Sequence, residues 1–507
     1  MIPRTPRHTL GSALVGLFLA IASLPVLVPT LCAEDKPTPK PSGPQTDGNF
    51  HKVILEADRD LDGDGKIDDV IVDPMEIAVA DDGRVFFIER AGVLKVWKPD
   101  TKATTVLGKI KVFSELEDGL LGIALDPRFA KNHWIYLFYS NPETGTDPAT
   151  GKTGENRVSR FTLRGDTLDL ASEKILLRVA TQREQCCHSA GSLAFDAHGN
   201  LYASVGDNTH PGESDGYTPV DERPGRGPWN SQKSAANAND LRGKILRIHP
   251  EPDGTATIPA GNLFPKGTPN TRPEIYVMGN RNPFRIAVDQ KTGFLYWGEV
   301  GPDSGGPSET RGPAGFDEIN QARKAGNFGW PFFAGDNKPY RRYNFETRQS
   351  GEPWDPQHPL NESRLNTGPR ELPPAQPAFI WYPYGASTRF PAVKTGGRTA
   401  MAGPVYYFND RLKSAAKLPR EFDHTLFIYE WSRNWVLAVH LDEHDQIAKT
   451  PTGALRMEPF CPGITFMRPM DIELGPDGCL YILENGTAWT GNRDTQLVRI
   501  EYHADLK

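Results

Sequence analysis

Cysteine is scarce in this chain: five residues in 507, at positions 32, 186, 187, 461 and 479. No pair has the CxxC spacing of a zinc site, and no CxxCH motif is present to attach a haem. So few cysteines cannot staple a fold of this length, so any bridge is local. Positive charge is also short. Lys and Arg number 57 against 64 Asp and Glu, a formal net charge of −7. No basic cluster is dense enough to bind nucleic acid. Long apolar runs are limited to LGSALVGLFLAIASLPVLVP near the N-terminus, and no second stretch could span a membrane.

Arg4, Arg7 and His8 precede that run, and Leu31-Cys32-Ala33 follows it just before the acidic Glu34. This is the layout of a secretory signal peptide over residues 1–33, cleaved after Ala33. The expectation is an exported protein, periplasmic or extracellular, with no integral membrane segment after cleavage. Residues 34–50, which begin EDKPTPKPSG, read as a solvated tether.

What is plentiful is repetition. MEIAVADDGRVFFIER, LGIALDPRFAKNHWIYLFYSN, GSLAFDAHGNLYASVGD, FRIAVDQKTGFLYWGEVG, EFDHTLFIYEWSR and MDIELGPDGCLYILENG resemble one another. Most pair an apolar-rich run and a turn with a second run of β-branched and aromatic residues. The fifth shows only its second half, and AMAGPVYYF is the candidate first. Outer strands such as GVLKVW, NRVSRFTL, GKILRIH, WVLAVHL and QLVRIEY follow several units. The expected fold is all-β: a six-bladed β-propeller over residues 51–507, with four-stranded antiparallel blades, rather than a β-sandwich array. Residues 208 to 240 and 335 to 398, rich in Pro, Gly and Asn, are expected as long loops on its faces.

The repeat aligns a polar group at the end of each second strand: Glu89, Ser140, Asp207, Glu299, Glu430 and Glu484. In a radial fold these fall at one mouth, or else merely close turns. The third unit also carries Cys186-Cys187-His188 at the start of its first strand. Neighbouring ends of a hairpin lie close, so His188 and Asp207 are expected on one face. An imidazole oriented by a carboxylate is a candidate general base.

Four stretches carry a family resemblance: GLLGIALDPRF, HSAGSLAFDAHGNLYASVGD, GNRNPFRIAVD, and EVGPD followed by FDEINQARKAGNFGWP. In this order they resemble the glucose/sorbosone dehydrogenase family, the soluble quinoprotein glucose dehydrogenases, from about residue 70 to 502. The resemblance implies pyrroloquinoline quinone and calcium at the propeller mouth. It matches His188 to the base that takes a proton from a sugar's anomeric hydroxyl as hydride passes to the quinone. Asp207 matches the orienting carboxylate, Arg281 the arginine that favours the reduced quinone, and Asn282 its polar neighbour. The carbonyls of Gly301 and Pro302 match calcium ligands. A small sugar would be the substrate, and an external electron acceptor would be needed.

The chain departs from the family's glucose oxidisers at three places. Ser432 or Arg433 stands where a quinone-binding lysine is usual. Arg468 can serve as one of two arginines before the last blade, but Met470 holds the other position. Glu117 and Asp118 replace a glutamine. Cys186 and Cys187 can form a vicinal disulfide, a flat platform beside His188 like that of some quinone-dependent alcohol dehydrogenases of another propeller family. They can equally be free thiols, or pair with Cys461 and Cys479, which can also bridge each other. Trp330, Trp431, Trp435 and Trp489 can stack on sugar rings or pack between blades.

DLDGDGKIDD places Asp60, Asp62, Asp64 and Asp68 as in an EF-hand loop spanning 60–71, though Ile71 occupies the position of the bidentate glutamate. A structural calcium is expected there. Two other functions compete with the dehydrogenase. One is a non-catalytic carbohydrate- or protein-binding propeller, as in animal hedgehog-interacting proteins. The other is a calcium-dependent lactonase or hydrolase with Glu89, Asp207, Glu299 and Glu430 around a metal.

Overall fold

The stretch Val85–Glu89 is apolar at every position but the last, and all five residues are buried. A strand covered on both faces cannot lie on a sheet open to water. It needs neighbours above and below, as in stacked blades. The same five-residue, fully buried pattern recurs at Leu201–Val205, Leu295–Glu299 and Leu480–Glu484. The structure is a computed structural model describing residues 45–147 and 151–504. The signal peptide expected at 1–33 lies outside the described residues.

Six antiparallel sheets form the propeller. The first blade comprises Pro74–Val79, Val85–Glu89, Val93–Lys98 and Ala103–Lys109. The second comprises Leu120–Leu125, Trp134–Ser140 and two long outer strands, Gly151–Arg164 and Thr167–Gln182. Ala190–Phe195, Leu201–Val205, Lys244–Pro250 and Ile275–Met278 make the third. Pro283–Val288, Leu295–Glu299, Asp317–Ala322 and Ile380–Tyr382 make the fourth. The fifth holds Ala400–Tyr406, Thr425–Glu430, Trp435–His440 and Met457–Pro459. In the sixth, Pro469–Leu474, Leu480–Glu484 and Gln496–Tyr502 are completed by an N-terminal strand, Phe50–Ala57.

The first strand of each blade touches those of both neighbours, so the ring is closed. In all six blades the pairing of first and second strands slips once. Such bulges re-aim side chains, and in five blades the slip falls at the end where the chain enters from the mouth. In the fifth blade it falls at Ala402/Val405 and absorbs Pro404, which cannot donate to a ladder. The axis is polar. Arg285, almost fully buried, reaches across from the fourth blade to donate to the carbonyls of Met75 and Met470 in the first and sixth. Glu76 and Asp471 line the same axis and accept N–H groups from Ile123 and Ile77.

Two expectations need correction. Residues 34–50 do not form a tether throughout: Gln45–Asp47 pairs with the closing strand, which begins at Phe50. The closing strand holds this segment in place despite its turn-rich composition. Residues 335 to 398 are not all loop. They contain a hairpin of Arg341–Asn344 with Gln349–Pro353, and the outer strand of the fourth blade, Ile380–Tyr382. That strand is three residues long and far in sequence from its partner, so no local pattern marks it.

Candidate active site at the propeller mouth

The second strand of the third blade ends at Val205, and Gly206 carries the chain past the start of the first strand. A Cβ on Gly206 would lie 2.1 Å from the His188 carbonyl oxygen. Only glycine permits that approach. Asn208 then donates its N–H to His188 O at 3.3 Å, and Asp207 its N–H to Arg281 O at 2.7 Å, which couples the third and fourth blades. His188 has φ +63°, a conformation that surrounding contacts must hold. Glu117 supplies one, accepting the His188 N–H at 2.7 Å, and Ser189 Oγ donates to buried Asp118 at 2.9 Å.

His188 Nδ1 lies 2.7 Å from Asp207 Oδ1, and both side chains are buried. Asp207 Oδ2 accepts from Ser231 Oγ at 2.6 Å and from Trp330 Nε1 at 2.8 Å, and Oδ1 also accepts the Thr209 N–H at 3.0 Å. Burial alone would raise the Asp207 pKa. The imidazole beside it and the hydrogen bonds from His188, Ser231 and Trp330 outweigh burial and hold it below the ordinary value. Asp207 is therefore a carboxylate that accepts the Nδ1 proton. Nε2 is then the ring nitrogen left to accept one.

His188 and Arg281 line one small cleft with Tyr217, Pro302 and Asp303. Arg281 donates to Val300 O at 2.9 Å and pairs with Asp303 at 3.2 Å. Asn282 donates its N–H to Glu299 at 2.8 Å, and its buried Oδ1 has no partner among the described residues. The structure thus brings His188, Asp207 and Arg281 together; Asn282 follows Arg281 in the chain, but its side chain is not among those lining the cleft. Cys186 and Cys187 form a vicinal disulfide, half-buried and directly before His188. Cys461 and Cys479 are free and buried in different hydrophobic clusters, so neither the expected local bridge nor a bridge to the vicinal pair forms.

Four expected contributors, Arg433, Pro302, Trp330 and Trp435, are already engaged. Arg433 donates to the carbonyls of Pro383, Val393, Lys394, Gly396 and Gly397, so its guanidinium staples a loop and is not free for a cofactor. The Pro302 carbonyl accepts Nη2 of Arg398 at 2.6 Å, which conflicts with its expected role as a calcium ligand. Its neighbour Gly301 donates its N–H to Asp317 at 3.0 Å. Arg468 is half-buried, with its guanidinium 4.2 Å from the centre of the Trp431 ring, itself edge-on to exposed Trp489. Arg468 Nε donates to Thr487 O at 3.3 Å. Trp330 and Trp435 are buried, and each donates its Nε1–H inside the fold, to Asp207 and to Val393 O.

The aligned strand-end carboxylates have a common use. Glu89 accepts from Val72 N, Glu299 from Arg281 N and Asn282 N, Glu430 from Thr399 N and Arg433 N, and Glu484 from Met467 N. Each clamps the chain entering its own blade. Asp207 is the shorter member of the series and turns to the imidazole instead. The metal cluster that the competing hydrolase function would need at Glu89, Asp207, Glu299 and Glu430 does not form among the described residues. The acidic group close enough for one ion there is Asp60, Asp62 and Asp68, whose ligand atoms lie within 4.8 Å of one another. Asp64 is not part of it; its carboxylate pairs with Lys66 Nζ at 2.9 Å. Ser231 and Arg398 lie in long insertions and had no sequence signal, and nothing in the motif that contains Trp330 shows that its Nε1 meets Asp207.

A family model described as Glucose / Sorbosone dehydrogenase matches residues 71–363. Quinoprotein glucose dehydrogenase B of Acinetobacter calcoaceticus is 24% identical over 424 residues, covering 79% of this chain and 81% of that protein. Aldose sugar dehydrogenase YliI of Escherichia coli is 28% identical over 267 residues, 52% of this chain and 60% of that protein. The PQQ-bound form of an aldose sugar dehydrogenase from Streptomyces coelicolor superposes with a TM-score of 0.54 at 18% identity, covering 89% of this chain and 98% of that one, a likeness of fold. With the propeller, the ordered motifs and the matched span in agreement, the chain belongs to the glucose/sorbosone dehydrogenase family.

Proposed function

We propose that this protein is an exported aldose dehydrogenase that uses pyrroloquinoline quinone, with His188 as general base. The observation that carries the reading is the buried His188–Asp207 pair, 2.7 Å apart, opening on a cleft shared with Arg281. Bound quinone supplies a two-electron acceptor for hydride. Nε2 of His188 takes the proton from the anomeric hydroxyl, and Asp207 fixes the tautomer and balances the imidazolium that forms. Ser231, Trp330 and the Thr209 N–H keep Asp207 ionised and oriented. Arg281, Arg398 and Arg468 supply positive charge for the carboxylates of such a cofactor, and the Cys186–Cys187 platform lies beside the base. Electrons leave to an external acceptor.

The buried, braced pair favours this reading over a binding-only propeller, which needs no oriented base. The engaged strand-end glutamates speak against the metal hydrolase. Purified protein mixed with quinone and aldoses should reduce a dye in a sugar-dependent way. His188→Ala should lower that rate by about 10²–10⁴-fold. Failure of quinone to bind would sink the reading. The acidic loop is read as a structural calcium site: calcium should raise the melting temperature, and Asp62→Asn should remove the rise. An unchanged melting temperature in the parent protein would count against it.

A further inference from the structure

Arg398 is a buried cation at this mouth that neither the blade repeat nor the family motifs account for. Its side chain is 2% exposed. Nη2 donates to the Pro302 carbonyl at 2.6 Å, and the guanidinium lies 3.9 Å from the centre of the Tyr384 ring. Nη1 stands 3.7 Å from Asp317 Oδ1, beyond hydrogen-bond reach. Asp317 is already occupied, accepting N–H groups from Gly301 at 3.0 Å and Ala400 at 2.9 Å. Nε and Nη1 of Arg398 are buried without a hydrogen-bond partner among the described residues. Gly315 makes the arrangement possible: a Cβ there would lie 1.7 Å from Pro302 O and 3.1 Å from Nη2.

A calcium ion binds carbonyl oxygen at about 2.3–2.6 Å. On Pro302 O it would compete with Nη2 of Arg398, and the two positive charges would repel. The guanidinium already supplies a cation on that carbonyl, and its unpartnered donors suit carboxylate or quinone oxygens. We propose that Arg398 replaces the divalent cation at this mouth, so that an anionic quinone carboxylate binds here without metal. The inference rests on the quinone reading above. Anion binding would also satisfy the two buried donors that lack a hydrogen bond, a cost that the ion pair with Asp317 at 3.7 Å does not remove.

Calorimetric titration of the purified protein with pyrroloquinoline quinone, once in a chelator and once in calcium, tests this directly. The dissociation constant should change by less than about threefold between the two, because the charge is built in. Arg398→Met should weaken binding by at least about 30-fold in chelator, and calcium should restore part of the loss. Arg398→Lys, which keeps the charge and loses the fork, should fall between. Circular dichroism in the chelator checks that the sheets persist. Quinone binding by the parent protein that disappears in chelator and returns with calcium would overturn the metal-free site and leave the dehydrogenase reading standing. Binding in neither buffer would overturn both.

Discussion

Asp207 carries the chemistry of one side chain into that of another. Its four hydrogen bonds use both oxygens, so an amide cannot replace it without turning one acceptor into a donor. Asp207→Asn should therefore lower kcat by about 10²–10⁴-fold with a smaller change in KM. Steady-state kinetics on the reconstituted enzyme decide this, and an equal loss in both constants would point to misfolding instead. Because its folded pKa is depressed, Asp207 stabilises the fold above the ordinary carboxylate range and loses that contribution as pH falls through the folded value. The proximity of His188 and Asp207 was legible because both stand in one short motif at neighbouring ends of a hairpin. Arg433 was misread for the converse reason: sequence places it at the right strand end, but five carbonyls of a distant loop claim its donors. The cysteines offer a separate check. Under denaturing conditions Cys461 and Cys479 should react with an alkylating agent directly, whereas Cys186 and Cys187 should react only after reduction.

At the scale of the strand, the glutamate that ends the second strand in four of the six blades is a clamp on the entering chain. Glu430 shows the consequence of burying one. Desolvation, with Asp317 nearby, pushes its pKa up to about 8 from 4.5. The folded state then holds a proton that the unfolded chain has released between those values. This contribution to stability is complete below about 4.5 and is lost as pH rises through about 8, at up to about 1.4 kcal/mol per pH unit. Glu430→Gln should flatten that part of the melting temperature against pH. An unchanged slope would show that other groups set it. The sequence repeat revealed that these carboxylates are equivalent. Their partners could not be read, because each N–H belongs to a connection whose path depends on the neighbouring blade.

For the molecule as a whole, closure is the decisive event. The strand Phe50–Ala57 completes a blade whose other strands lie more than 400 residues later, and Lys52 forms a fully buried pair with Glu484 at 2.8 Å. Lys52→Met should destabilise the protein by about 3–5 kcal/mol in denaturant titration, because it leaves Glu484 buried and unpaired. Lys52→Met combined with Glu484→Gln should recover part of this, and no recovery would mean that packing of the strand matters more than charge. By itself the sequence determined the strands, their sixfold repetition, the family and the nearness of His188 to Asp207, because these depend on local alternation and short spacings. The tertiary structure alone decided which strand closes the ring, that Arg398 occupies the Pro302 carbonyl, and that Ser231 and Trp330 brace Asp207. Those contacts join segments tens to hundreds of residues apart, and no local pattern specifies what a long loop meets when it folds back.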